Sequence, residues 1–87
     1  MKAQIEIYTG AYCPYCQRAK ALLRERGLAF VEYDVQREPA RREEMLQRAH
    51  GARTIPQIFI NGRHVGGCDD LYALDRAGKL EEWLRSA

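Results

Sequence analysis

The chain has 87 residues, 46% of them hydrophobic, with 14 basic and 12 acidic side chains and a net charge of +2. That length fits a single domain over residues 1–87 whose modest core needs no staples. A small, mixed charge argues against nucleic acid, and no apolar run approaches the ~20 residues of a membrane span.

The opening segment, Met1 to Glu6, has no apolar core of the kind a secretory leader carries, so the expected location is the cytoplasm. Gln4 to Thr9 alternates, with Ile5 and Ile7 on one side, and reads as a strand. Pro14 falls just inside the start of a helical pattern carrying Ala19, Leu22 and Leu23, and Gly27 stops it. Ala29 to Val35, rich in Val, Phe and Tyr, reads as a second strand. Pro39 opens a second helix whose apolar stripe is Met45, Leu46 and Ala49, ending at Gly51. Its Arg41-Arg42 pair, followed by Glu43-Glu44, reads as a solvated face. Gln57 to Ile60 is a third strand. Asn61-Gly62 is a hairpin turn signal, and His64-Val65 begins the return strand. Asp69 or Asp70 is the expected cap of a third helix with Leu71, Leu74 and Ala77, stopped by Gly78. A short last helix would turn Leu80, Trp83 and Leu84 inward. The order β-α-β-α-β-β-α-α implies an α/β fold. A parallel right-handed βαβ unit and an antiparallel hairpin then make a mixed four-stranded sheet flanked by helices.

Three cysteines, two of them in Cys13-Pro14-Tyr15-Cys16, suit a redox or metal role better than a disulfide framework. Cys13 sits where the first strand hands over to the first helix. Free backbone N–H groups and the helix dipole favour a thiolate there, and the thiolate is the nucleophile. The i, i+3 spacing puts Cys16 on the same helix face, one turn deeper, where it can attack a mixed disulfide on Cys13. Zinc would need Cys68 with His50 or His64, and the usual second half-site is missing, so no metal is expected. His50 and His64 otherwise read as surface residues. Two glycines at Gly66-Gly67, ahead of a helix start, would let an anion approach backbone N–H groups.

Cys13-Pro14-Tyr15-Cys16 at a βα junction, Thr54-Ile55-Pro56 before a strand, and Gly66-Gly67-Cys68-Asp69-Asp70 before a helix together resemble the glutaredoxins of the dithiol class. The resemblance spans Ile5 to Leu84. It implies a thioredoxin-like fold and glutathione as co-substrate, with Cys13 as nucleophile, Cys16 as resolving thiol and Tyr15 flanking them. Ile55-Pro56 would be cis, although trans is the default for an X–Pro bond. The backbone of Ile55 would pair with the cysteinyl part of glutathione as a strand does, with Thr54 and Pro56 also counted among the glutathione-binding residues. Gly67 and the N–H groups of Cys68 and Asp69 would hold the γ-glutamyl carboxylate, and Asp70 its ammonium. Many members carry Lys three residues before the first cysteine, facing the glycyl carboxylate. Here that residue is Gly10, and Arg53 or Arg42 is the expected substitute. Cys68 is expected to have no redox role.

The implied activity is glutathione-dependent reduction of protein disulfides and glutathione mixed disulfides by a monomer. Family-level protein partners include ribonucleotide reductase. The competing readings are a redoxin recharged by thioredoxin reductase, which Gly10 keeps open, and a glutathione-ligated [2Fe–2S] carrier, which Pro14 disfavours.

Overall fold

The structure, a computed structural model, describes residues 4–85. Its elements run β1 (Ile5–Thr9), α1 (Pro14–Glu25), β2 (Val31–Asp34), α2 (Pro39–Arg48), β3 (Gln57–Ile60), β4 (Arg63–Gly66), α3 (Cys68–Arg76) and α4 (Leu80–Arg85). The sheet order is β2-β1-β3-β4. β1 pairs parallel with β2 and antiparallel with β3, which pairs antiparallel with β4. This is the mixed sheet expected from the element order and the thioredoxin-like arrangement that the resemblance implies.

Strand alternation divides the core into two layers. Ile5, Ile7, Ile58 and Ile60 face one side, where they meet Ala19, Leu22 and Leu23 of α1, Leu71 of α3 and Leu80 of α4. Tyr8 and Phe59 face the other side and pack on Met45 of α2 and on Ala49, its C-cap. Leu23 has no exposed surface. Truncating such a residue to Ala typically costs about 2–5 kcal/mol. The sheet thus holds the N-terminal ends of α1 and α3 on the same layer.

Two boundaries differ from expectation. β2 is shorter than Ala29 to Val35, and Val31 and Glu32 are exposed along it, as befits an edge strand. The N-cap of α3 is Gly67, with neither Asp69 nor Asp70 in that position. Asp70 instead stands at the third helical position, where its Oδ2 accepts the Gly67 N–H at 2.9 Å. This is the carboxylate half of a capping box, since a glycine cap has no side chain to return the bond. The Asn61-Gly62 turn has φ of 51° and 82°, the left-handed pair that a tight hairpin requires.

The sequence reading did not anticipate a polar network beneath α2. Arg48 donates to Glu6 at 2.9 and 3.0 Å and to the Tyr8 hydroxyl at 2.7 Å. Tyr33 donates to Glu6 at 3.0 Å, and Tyr8 donates to Glu44. Glu6 is thereby tolerated on a central strand at 9% exposure. The Arg48 hydrogen bonds hold its carboxyl below the usual carboxylate range.

Candidate active site

Cys13 is the N-cap of α1, in extended conformation, with Pro14 at the first helical position. Its Sγ accepts the backbone N–H of Cys16 at 3.2 Å, one of the helix-start donors that has no intrahelical partner. The same sulfur lies 3.8 Å from the Ile55 carbonyl oxygen. Cys13 is half-buried and Cys16 fully buried. Burial pushes the Cys16 thiol up to about 12, and the contact with Cys13 adds to it. One sulfur can therefore be reached from outside, while the other is held protonated behind it. Both are free thiols.

The loop before Cys13 holds Tyr12 in the left-handed region, with φ of 56°, and its side chain fully exposed. A non-glycine residue in that conformation carries strain of the kind that gathers at functional loops. Gly10 is buried. A Cβ there would lie 2.8 Å from Ile55 Cδ1 and 2.9 Å from the Gln36 carboxamide. Gln36 Oε1 in turn accepts the Ala11 N–H at 3.1 Å. The space a longer side chain would cross is filled by Gln36.

A groove of about 380 Å³ runs from the Ile55-Pro56 peptide, which is cis, to the start of α3. That volume is in the range of small-molecule sites. It is lined by Tyr15, Thr54, Ile55, Pro56, Gly66, Gly67, Cys68, Asp69 and Asp70, all singled out in the sequence, together with Ala52, Gln57 and His64. At its far end the first N–H groups of α3 have no intrahelical partners, an arrangement that favours negative charge. Gly66 has φ of 121°, and a Cβ there would overlap the Asp70 carboxyl, so only glycine fits. Arg53 does not line this groove. With Arg42, Gln36 and Pro39 it borders a neighbouring hollow that shares Ile55.

The glutaredoxin family model matches residues 5–65. The chain belongs to the glutaredoxin family. It is 54% identical to a probable glutaredoxin of Synechocystis over 86 residues, covering 99% of this chain and 98% of the relative. It is 54% identical to glutaredoxin 3 of Escherichia coli K12 over 83 residues, covering 95% and 99%. Among solved structures, a glutaredoxin from Brucella melitensis superimposes with a TM-score of 0.83 at 52% identity, over 98% of this chain and 91% of that one. A buckwheat glutaredoxin–glutathione complex superimposes with a TM-score of 0.82 at 35% identity, over 92% and 74%. Like its family, this glutaredoxin is a thiol–disulfide oxidoreductase.

Several groups around the site escaped the sequence reading. Gln57, 3% exposed, donates from Nε2 to the Thr54 carbonyl at 2.9 Å and to Thr54 Oγ1 at 3.1 Å. Its Oε1 lies 2.6 Å from His64 Nε2. His64 is half-buried, stacked on Phe59 at 4.9 Å, and faces the groove. It was expected at the surface, and the Phe59–His64 register of the hairpin carries it inward. Gln57 and His64 thus brace the turn that carries Ile55. Cys68, at the first position of α3, is 4% exposed, and burial raises its thiol above the ordinary range.

Proposed function

We propose that this glutaredoxin reduces protein disulfides and glutathione mixed disulfides at the expense of glutathione, with Cys13 as nucleophile and Cys16 as resolving thiol. One observation carries the reading. The groove begins at the Ile55 peptide, 3.8 Å from the Cys13 sulfur, and ends at the anion-binding start of α3 beside Asp70. A peptide with a thiol in its middle and an α-amino acid at one end matches that order of features. The buckwheat relative bound to glutathione supports the assignment.

In this reading the Ile55 backbone pairs with the cysteinyl residue as an added strand. The N–H groups of Cys68 and Asp69 receive the γ-glutamyl carboxylate. Asp70 takes the ammonium, and an ionised carboxylate has acceptor sites left after capping Gly67. Tyr15, Thr54, Pro56 and Gly67 close the walls. Gly10 offers no cation to the glycyl carboxylate, so we assign that end to the hollow bordered by Arg53 and Arg42.

The Cys13 thiolate attacks the glutathione sulfur of a glutathionylated protein. The protein thiol leaves, and a second glutathione releases oxidised glutathione from Cys13. For a protein disulfide, Cys16 displaces the protein instead, and the Cys13–Cys16 disulfide is reduced by two glutathiones. Glutathionylated or disulfide-containing proteins of the cytoplasm, ribonucleotide reductase among them, are the partner class we assign. Turnover of a glutathione mixed disulfide with glutathione and its reductase, compared with thioredoxin reductase alone, tests the reading. Turnover is expected only with glutathione. Equal or faster turnover with thioredoxin reductase overturns it.

A further inference from the structure

Lys20 is a cation where cations are rarely found. It lies on the buried face of α1 at 8% exposure, four residues after Cys16. Residues at i and i+4 sit one above the other on a helix, and side chains lean toward the N-terminus. The Lys20 stem is thus directed toward the turn that holds Cys16. Its Nζ is 2.9 Å from Glu32 Oε2, and the same oxygen accepts the Thr9 hydroxyl at 2.7 Å. Thr9 immediately precedes Gly10, whose N–H faces the Cys16 sulfur. Three elements (β1, α1 and β2) therefore converge to fix one ammonium, on the helix face that also carries the buried thiol. Burying a lysine is unfavourable unless it is paired, so its retention there asks for a reason beyond packing.

We propose that Lys20, held in place by Glu32 and Thr9, is a positioning residue that supplies the positive field in which Cys16 becomes a thiolate and resolves the mixed disulfide on Cys13. The inference rests on the assignment of Cys16 as the resolving thiol. The Cys16 thiol loses its proton, and its sulfur forms a bond to Cys13 Sγ. The bond from Cys13 to the substrate sulfur breaks, and the substrate leaves as a thiolate that collects a proton. Two electrons pass from the Cys13–Cys16 pair to the substrate disulfide.

The groups acting on Cys16 are few. Burial and the Cys13 sulfur oppose its ionisation, whereas the Gly10 N–H and the Lys20 ammonium favour it. Once Cys13 is in a mixed disulfide it carries no charge, and Lys20 and Gly10 then act against burial alone. Glu32 feels Arg24 as well as Lys20 and Thr9. On the α3 side, Cys68 feels Arg18 of α1 and Asp69.

The test is single-turnover reaction of the reduced protein with a symmetric aromatic disulfide that releases a coloured thiolate. Cys13 releases the first equivalent and Cys16 the second. An opposite charge nearby shifts a pKa by roughly 1–3 units, and nucleophilicity recovers about half of the lost thiolate on a logarithmic scale. Lys20→Met should therefore slow the second release roughly threefold to thirtyfold and move its pH profile to higher pH. The first release should change less than about twofold, and Lys20→Arg should restore the second. If Lys20→Met does not fold, Lys20→Met with Glu32→Gln leaves no unpaired charge, keeps an acceptor for Thr9, and should show the same slow phase. A second release with wild-type rate and pH profile in a folded variant overturns the role of Lys20. A second release at the wild-type rate in Cys16→Ser would instead overturn the assignment of Cys16.

Discussion

Asp70 performs two tasks that substitution can separate. Its Oδ2 caps the Gly67 N–H at 2.9 Å, and its charge faces the end of the groove assigned to the γ-glutamyl ammonium. Asp70→Asn keeps the volume and an acceptor oxygen, so the cap survives, but it removes the charge. Hydrogen bonds to charged groups contribute about 1.5–3 kcal/mol, and exposure of Asp70 places it at or below the low end. About 1.4 kcal/mol corresponds to a tenfold change in affinity. The KM for glutathione should rise about tenfold in Asp70→Asn, with kcat at saturating glutathione near wild type. Its Tm should fall by less than about 4 °C, because a domain of this size loses roughly 4–8 °C per kcal/mol. Asp70→Ala should show the same KM together with the loss of a cap, about 0.5–2 kcal/mol. Steady-state kinetics with glutathione reductase and a thermal melt measure both quantities. An unchanged KM in Asp70→Asn would refute the ammonium assignment. A tenfold KM rise in Asp70→Ala alone would show that the cap, not the charge, shapes the site.

Three further outcomes are expected. Arg48→Met strands Glu6 beneath α2 and should destabilise the fold by about 3 kcal/mol in urea unfolding. Because Arg48 depresses the Glu6 carboxyl, that stability is present above the unfolded carboxylate pKa and fades as pH falls through the lower folded value. The wild-type advantage should therefore shrink in acid, and a constant difference down to the lowest measurable pH would contradict the linkage. Gly10→Ala places a Cβ against Ile55 and Gln36 and should cost about 1–3 kcal/mol, with part of the loss recovered by adding Gln36→Ala. Strict additivity in that double-mutant cycle would mean that Gln36 does not fill the space. Cys68→Ser should retain turnover within about twofold, as measured in the glutathione-coupled assay, and loss of turnover would give the third cysteine a redox part.

Much of this molecule was legible in its sequence because the signals are local. Alternation at Ile5 and Ile7, prolines at helix starts and the Asn61-Gly62 turn each depend on a few neighbouring residues, and the element order followed from them. The Thr54-Ile55-Pro56 and Gly66–Asp70 segments stood out through the family resemblance, and the fold brings them to one groove whose Ile55 carbonyl lies 3.8 Å from the Cys13 sulfur. What escaped was set by register and long-range packing. A glycine cap has no side-chain signature, so Asp69 and Asp70 drew the boundary of α3 too late. The inward turn of His64 comes from its cross-strand pairing with the buried Phe59. Arg53 stands between the groove residues Ala52 and Thr54 in sequence yet borders the next hollow. Gly10 looked like a lost lysine, whereas the structure shows a position packed against Ile55 and Gln36. The Glu6–Arg48 and Lys20–Glu32 pairs join residues far apart in the chain, and no single segment announces them.

The most direct test of the central claim compares Cys13→Ser and Cys16→Ser in glutathione-dependent turnover of a glutathionylated protein. Cys13→Ser should be inactive, while Cys16→Ser should keep turning over and accumulate one glutathione on Cys13. Substantial turnover by Cys13→Ser, or a Cys16→Ser protein that neither turns over nor takes up glutathione, would contradict the account.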